Sequence, residues 1–145
     1  MIRNAVPADI DKIVELGIES LELNDPYPEL LISEAKIRRM TVEVVSSKAH
    51  FSWVCEVDGE VIGAVCGLSH DIMFHERKQL SVLLFYCRSA SGGGFLIRKM
   101  IRWFKSRPVL KMIVMTLDGG DNPKLGALLV KMGLDKKMLC YAGTK

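Results

Sequence analysis

Residues 80–106 constrain the fold more than any other stretch. An apolar, strand-like run (LSVLLFYC) passes through Arg88, Ser89, Ala90 and Ser91 to three consecutive glycines, Gly92, Gly93 and Gly94, and on into an amphipathic run (FLIRKMIRWFKS). A strand that turns through glycines into a helix gathers unpaired backbone N–H groups and the positive end of a helix dipole at one point. Glycine also lets the backbone approach an anion with no Cβ in the way. The stretch therefore predicts a phosphate cradle. In the helix, Ile97, Met100, Ile101 and Phe104 are spaced to face inward, with Arg98, Lys99, Arg102 and Lys105 outward, and Arg107-Pro108 ends it.

The flanking sequence supplies the rest of a sheet. Residues 1–5 form a short first strand, and Pro7-Ala8-Asp9 opens a helix with Ile10, Ile13, Val14, Ile18 and Leu21 on one stripe, stopped by Asn24-Asp25-Pro26-Tyr27-Pro28. A second helix runs from an N-cap at Ser33 through Ile37, Met40 and Val44 to about Ser47. Phe51–Val57 and Glu60–Leu68 flank Asp58-Gly59, the strongest short hairpin signal a sequence carries. Residues 69–78 read as a loop, and Leu80–Cys87 as a third long strand.

Val109–Thr116 is an almost unbroken apolar run that suits a central strand covered on both faces. A Gly-rich turn at 117–121 leads to a helix with Asn122 as N-cap, Pro123 at its first position and Gly133 as its left-handed stop. Met138–Gly143 makes a last strand. The expectation is a single α/β domain over 1–145, with a mixed central sheet of about six strands flanked by about four helices.

Composition removes several classes of function. At 145 residues with 49% hydrophobic residues the chain can bury a real core, and no apolar run reaches the ~18–20 residues a membrane helix needs. The expectation is a soluble, cytoplasmic protein. Cys55, Cys66, Cys87 and Cys140 sit singly in apolar runs without a C-x-x-C, which predicts buried free thiols and no metal site. A net charge of +3, with no aromatics interleaved among the basic residues, gives no case for nucleic-acid binding.

Two phosphate readings fail on spacing. No Lys-Ser or Lys-Thr follows the glycines as a P-loop requires, and the third glycine of the dinucleotide fingerprint would fall at Ile97. The arrangement instead resembles the GNAT superfamily of acyl-CoA-dependent N-acyltransferases, along the whole chain. That family's loop, [Q/R]-x-x-G-x-[G/A], is similar to Ser89 through Gly94, with Ser89 at the first position and Arg88 one residue early. A later family segment, N-x-x-A-x-x-L-Y-x-K-x-G-F, resembles NPKLGALLVKMGL, in register at Asn122, Leu128, Lys131 and Gly133. The opening IRNAVPADIDKIVEL and the FSWVCEVDGEVIGAVCG hairpin also look like the family's start. In size and spacing the chain is similar to short GNAT-like proteins of tailed bacteriophages.

The resemblance implies acetyl transfer from acetyl-CoA to a primary amine of a small molecule or protein, by a monomer or homodimer. Phe85, Tyr86 and Cys87 would pair with pantetheine as an added strand. The pyrophosphate would rest on Arg88, Ser89 and the segment Ser91, Gly92, Gly93, Gly94 and Phe95, and Asn122 would face the pantetheine arm.

Catalysis is less specified. Glu56 and Glu76 are the carboxylate candidates for a general base, with His75 a third. The family's acidic tyrosine would fall at Leu129, which has no proton to give, so Tyr86 and Tyr141 stand as substitutes. Cys87 as an acyl-carrying nucleophile has no histidine beside it in sequence. The basic face of the helix, with Arg107, is expected to be solvated, its functional alternative being the 3′-phosphate of CoA or an acidic partner. Met73-Phe74 would be exposed in a loop, next to an acceptor. The departures at Ser89 and Leu129 also admit a GNAT-like module that binds CoA or a protein without turnover.

Overall fold

The computed structural model describes residues 1–24, 30–116 and 122–136. In chain order the elements are β1 (Ile2–Asn4), a 3-10 turn (Pro7–Asp9), α1 (Ile10–Asn24), α2 (Glu34–Ser46), β2 (Phe51–Val57), β3 (Glu60–Asp71), β4 (Lys78–Cys87), α3 (Ala90–Lys105), β5 (Leu110–Val114) and α4 (Pro123–Lys131). The strands lie side by side in sequence order, antiparallel throughout except for β4 and β5, which are parallel.

Strand alternation sorts the core into two layers. Phe51, Trp53 and Cys55 of β2 point to one face, where Leu96, Ile97, Met100 and Ile101 of α3 and Leu129 of α4 cover them. Val54, between them, points to the other face, under Ile13 and Leu16 of α1 and Val44 of α2. The Asp58-Gly59 turn has both central residues at positive φ, 50° and 81°, the form whose twist matches that of the strands. Ser33 and Asn122 cap their helices as expected, accepting the N–H of Lys36 at 3.4 Å and of Leu125 at 3.1 Å.

Several expectations are corrected. The loop read at 69–78 is shorter: β3 runs on to Asp71 and β4 begins at Lys78, pairing Asp71 with Lys78 and leaving 72–77 as the turn. Polar Ser69, His70 and Asp71 hid the strand because they stand on an exposed stretch of sheet. Val109–Thr116 is not a central strand covered on both faces. Among the described residues β5 pairs only with β4, and Lys111 and Met112 are exposed. The glycines are not a turn before the helix, since α3 begins at Ala90 and all three lie in its first turns. Met40 is exposed on α2, and Thr41 shares the buried stripe with Val44. The expected turn at 117–121 and strand at 138–143 lie outside the described residues.

The basic face of α3 is partly committed to rings and a helix end. The Lys99 ammonium sits 5.4 Å from the Trp53 ring centroid, where burial lowers its pKa, and Arg107 and Arg98 lie over Trp103 and Phe95. Lys105 donates to the Met132 carbonyl at the end of α4.

Two glycines should respond oppositely to a methyl group. A Cβ at Gly67 would lie 2.5 Å from the Ser81 carbonyl oxygen and 2.3 Å from the Phe51 ring, whereas one at Gly126 in α4 meets nothing within 4 Å. Gly67→Ala should cost about 1–3 kcal/mol of stability and Gly126→Ala should gain about 0.5–1 kcal/mol. Urea denaturation of the three proteins gives both signs in one experiment.

Candidate functional site

The site begins with a loss of pairing. β5 pairs with β4 only at Lys78, Gln79, Leu80 and Ser81, so from Val82 to Cys87 the β5-facing edge of β4 has no described strand beside it. On its other edge β4 stays paired with β3 up to Cys87. That register carries a bulge: Cys66 opposes Leu84 and Gly67 opposes Val82, leaving Leu83 as the extra residue at the start of the unpaired stretch.

A cavity of about 980 Å³ fills the gap, within the range of pockets that bury a ligand of cofactor size. Its floor is Val82 through Cys87, and Met115, Asn122, Lys124 and Leu125 form the wall beyond β4. Leu21 of α1 and Ile37, Met40 and Val44 of α2 form an apolar wall opposite. Among the described residues, no carboxylate lines it.

The N-terminus of α3 closes one end, where Ser89, Ala90, Gly93 and Gly94 reach the cavity. Ser89 is the N-cap and accepts the Gly92 N–H at 3.3 Å, while the Gly93 N–H already bonds the Ser89 carbonyl. The N–H groups of Ala90 and Ser91 precede the first intrahelical bond and have no acceptor in the helix. The three glycines have separate jobs. Gly92 faces the core, where a Cβ would lie within 3 Å of the Cys55 and Cys87 sulfurs. At Gly93 it would touch the Phe85 ring at 3.4 Å, and at Gly94 it would meet nothing, so these two leave room for a group at the helix end.

On the α1 side of β4, Arg88 binds three carboxylates. It bonds Glu19 through Nε at 3.1 Å and Nη2 at 2.5 Å, and reaches Glu15 at 3.0 Å and Glu60 at 3.4 Å. The Tyr86 hydroxyl donates to Glu19 at 2.6 Å. Arg88 first, then Tyr86, holds the Glu19 carboxyl down at about 2, and the same bond to Glu19 raises the pKa of the Tyr86 phenol. The phenol therefore stays protonated, with its proton directed at Glu19, while Tyr86 itself forms part of the cavity wall.

The remaining sequence candidates scatter. The Glu56 carboxylate is held by Arg3 at 2.6 Å, beside the Arg3–Asp9 pair, and is not among the cavity residues. Glu76 and His75 lie in the exposed turn at 72–77, with Met73 and Phe74, also outside the cavity lining. Tyr141 and Cys140 lie outside the described residues. Phe95 is 56% exposed on α3. Leu129 is buried in the core under α4. Cys87 turns its thiol toward Gly63 and Gly92. Among the described residues no group of side chains would hold a metal ion.

Two participants were missed. Lys124 brings a cation to the cavity lining, signalled in sequence only by its place two residues after the Asn122 cap. Glu19 joins Tyr86 and Arg88 from 67 and 69 residues away, and no local pattern announces that pairing.

No family model matches the chain, and no curated protein matches its sequence. Solved structures do match its fold. A predicted acetyltransferase with acetyl-CoA from Clostridium acetobutylicum superposes with a TM-score of 0.76 at 15% identity, covering 99% of this chain and 95% of its own. An aminoglycoside acetyltransferase from an uncultured soil metagenomic sample gives 0.66 at 17% identity, with 100% and 97% covered. This chain has the GNAT fold. A transcriptional regulator from Bacillus halodurans C-125 is just as similar, at 0.73 and 16% identity over 100% and 99% of the two chains, so the GNAT fold does not by itself name the reaction.

The Glu19 network gives a pH signature. Because the folded-state carboxyl lies at about 2 against an ordinary 4.5, its contribution to stability is complete above about pH 4.5 and is lost as pH falls toward 2. Glu19→Gln should therefore melt below the wild type at pH 7, and the gap should narrow steadily below pH 4.5. Thermal unfolding across pH 3–7 checks it.

Proposed function

We propose that this protein binds acetyl-CoA and transfers the acetyl group to a primary amine. The observation that carries the reading is the end of the β4–β5 pairing at Ser81, with the α3 N-terminus at the far end of the edge from Val82 to Cys87. An edge of five residue steps is about 17 Å long. Its N–H and C=O groups, with no described strand beside them, offer the pairing that the two amides of a pantetheine arm would take up, as a strand added to the sheet. The diphosphate would then lie against the Ala90 and Ser91 amides and the space before Gly93 and Gly94, with Lys124 across from it. Bound in this way, the cofactor supplies an activated acetyl thioester, and the apolar wall from α1 and α2 is left for the acceptor.

A second reading rests on the acid. Leu129 occupies the expected tyrosine position and is buried, and the Tyr86 phenol is committed to Glu19. A thiolate of ordinary pKa ~8.5 leaves without help, so the loss of an acid does not forbid turnover. It does favour a slow enzyme or a cofactor-binding module over a fast enzyme.

At a hundred times its Kd, acetyl-CoA should stabilise the protein by about 2.7 kcal/mol, a rise of several degrees in Tm, and Gly93→Glu should abolish the rise by bulk and charge. An unchanged Tm for the wild type would remove the proposal. Release of free thiol from acetyl-CoA in the presence of a panel of primary amines separates an enzyme from a binding module.

A further inference from the structure

One residue beyond Val82, where β4 leaves the cavity lining, stands a hydrogen-bonded pair, His70 and Ser81, of which His70 fell in the stretch the sequence read as a loop. The His70 Nδ1 lies 2.9 Å from the carbonyl oxygen of Asp71, and its Nε2 lies 2.8 Å from the Ser81 Oγ. A carbonyl only accepts, so the first bond puts a proton on Nδ1, and in the neutral ring Nε2 is then the acceptor. Ser81 then donates its hydroxyl proton to Nε2. The Gln79 amide donates to the Ser81 Oγ at 3.2 Å and lies 3.1 Å from His70 Nε2, beside the pair.

The pair also stands in the right place. Ser81 is the last β4 residue paired with β5, and Val82, the next residue, is the first on β4 to line the cavity. Ser81 opposes Leu68 in the ladder, and Leu68, Leu84 and Tyr86 all pack on the α1 and α2 face. Ser81 is therefore the next side chain beyond Leu84 on the face of the acceptor wall. A cofactor anchored at the α3 N-terminus and extended along Cys87 to Val82 brings its far end to this point.

We infer that Ser81 and His70 form the proton relay of the acyl transfer, with Ser81 nearest the reacting amine and His70 a positioning residue that accepts the proton through it. The inference rests on the reading of the cavity as an acetyl-CoA site. In the step, the amine nitrogen bonds the thioester carbonyl carbon and the C–S bond breaks, its electron pair leaving with sulfur. The surplus proton on nitrogen passes to Ser81 Oγ as the Ser81 proton passes to His70 Nε2. The thiolate is protonated from water, and His70 returns its proton to solvent. The charged groups around the ring are Asp71, tied to Lys78 at 2.8 Å, and, on the side of Ser69, His50 with Glu43 at 3.9 Å.

The test uses the full chain with 15N-labelled histidine. Long-range 1H–15N spectra should show His70 as the Nδ1–H form, and saturating acetyl-CoA should shift its signals while those of His75, in the exposed turn, stay in place. Ser81→Ala should remove the shift. With any amine that turns over, His70→Gln should lower kcat by roughly 100-fold or more with KM for acetyl-CoA unchanged. His75→Gln, as control, should keep the rate.

An Nε2–H ring overturns the inference, as does a His70 signal untouched by acetyl-CoA that nevertheless raises Tm, or a His70→Gln enzyme with its rate intact. If no amine turns over, the spectra decide alone. If acetyl-CoA fails to bind, the cofactor reading falls and the relay falls with it.

Discussion

The structure depends on one accounting rule: backbone N–H and C=O groups require partners. Between neighbouring strands the ladder supplies them, and along the far edge of Val82–Cys87 no described strand does. A stretch of strand in this condition, with a bulge at one end and a helix N-terminus at the other, is a ready template for an extended ligand. The Leu83 bulge in the β3–β4 ladder falls two residues after the last β4–β5 pair, and Met115 and Asn122 to Leu125 line the gap.

Close packing behind the gap keeps it in shape. Gly63, Gly67 and Gly92 each stand where a Cβ would come within 3 Å of a neighbour, so β3, β4 and the first turn of α3 approach more tightly than side chains normally allow. The Cys55 and Cys87 thiols fill the space over Gly63 and beneath Gly92. Burial, and after it the neighbouring Cys87, raises the pKa of Cys55, and burial pushes the Cys66 thiol up to about 11, so Cys55 and Cys66 act as apolar packing. The opposite face carries its charges outside: Arg88 with Glu15, Glu19 and Glu60 ties α1 to the end of β4 and to the β2–β3 turn.

What was legible in the sequence was what is local. The Asp58-Gly59 hairpin, the Ser33 and Asn122 caps and the Gly133 stop, with φ of 93°, are set by a few adjacent residues and stand where they were expected. The place of β5 was not legible, because an apolar run records burial without recording which strands flank it. The extension of β3 through His70 failed for the converse reason, since polar residues on an exposed sheet look like a loop. The glycines are poor helix formers in isolation, yet here the fit of Gly92 against two thiols outweighs propensity and starts α3 before them. The contact of Glu19 with Tyr86 and Arg88 joins residues with no sequence relation at all.

The exposed edge of β4 has a consequence for how such a protein can change over time. Main-chain atoms are the same whatever letters the sequence uses, so a groove built from them asks of its residues only that the strand part, the bulge form and the helix begin on schedule. A site of this kind stores its information in geometry, leaving its side chains free to drift. The chain superposes closely on folds with which it shares 15–17% of its residues.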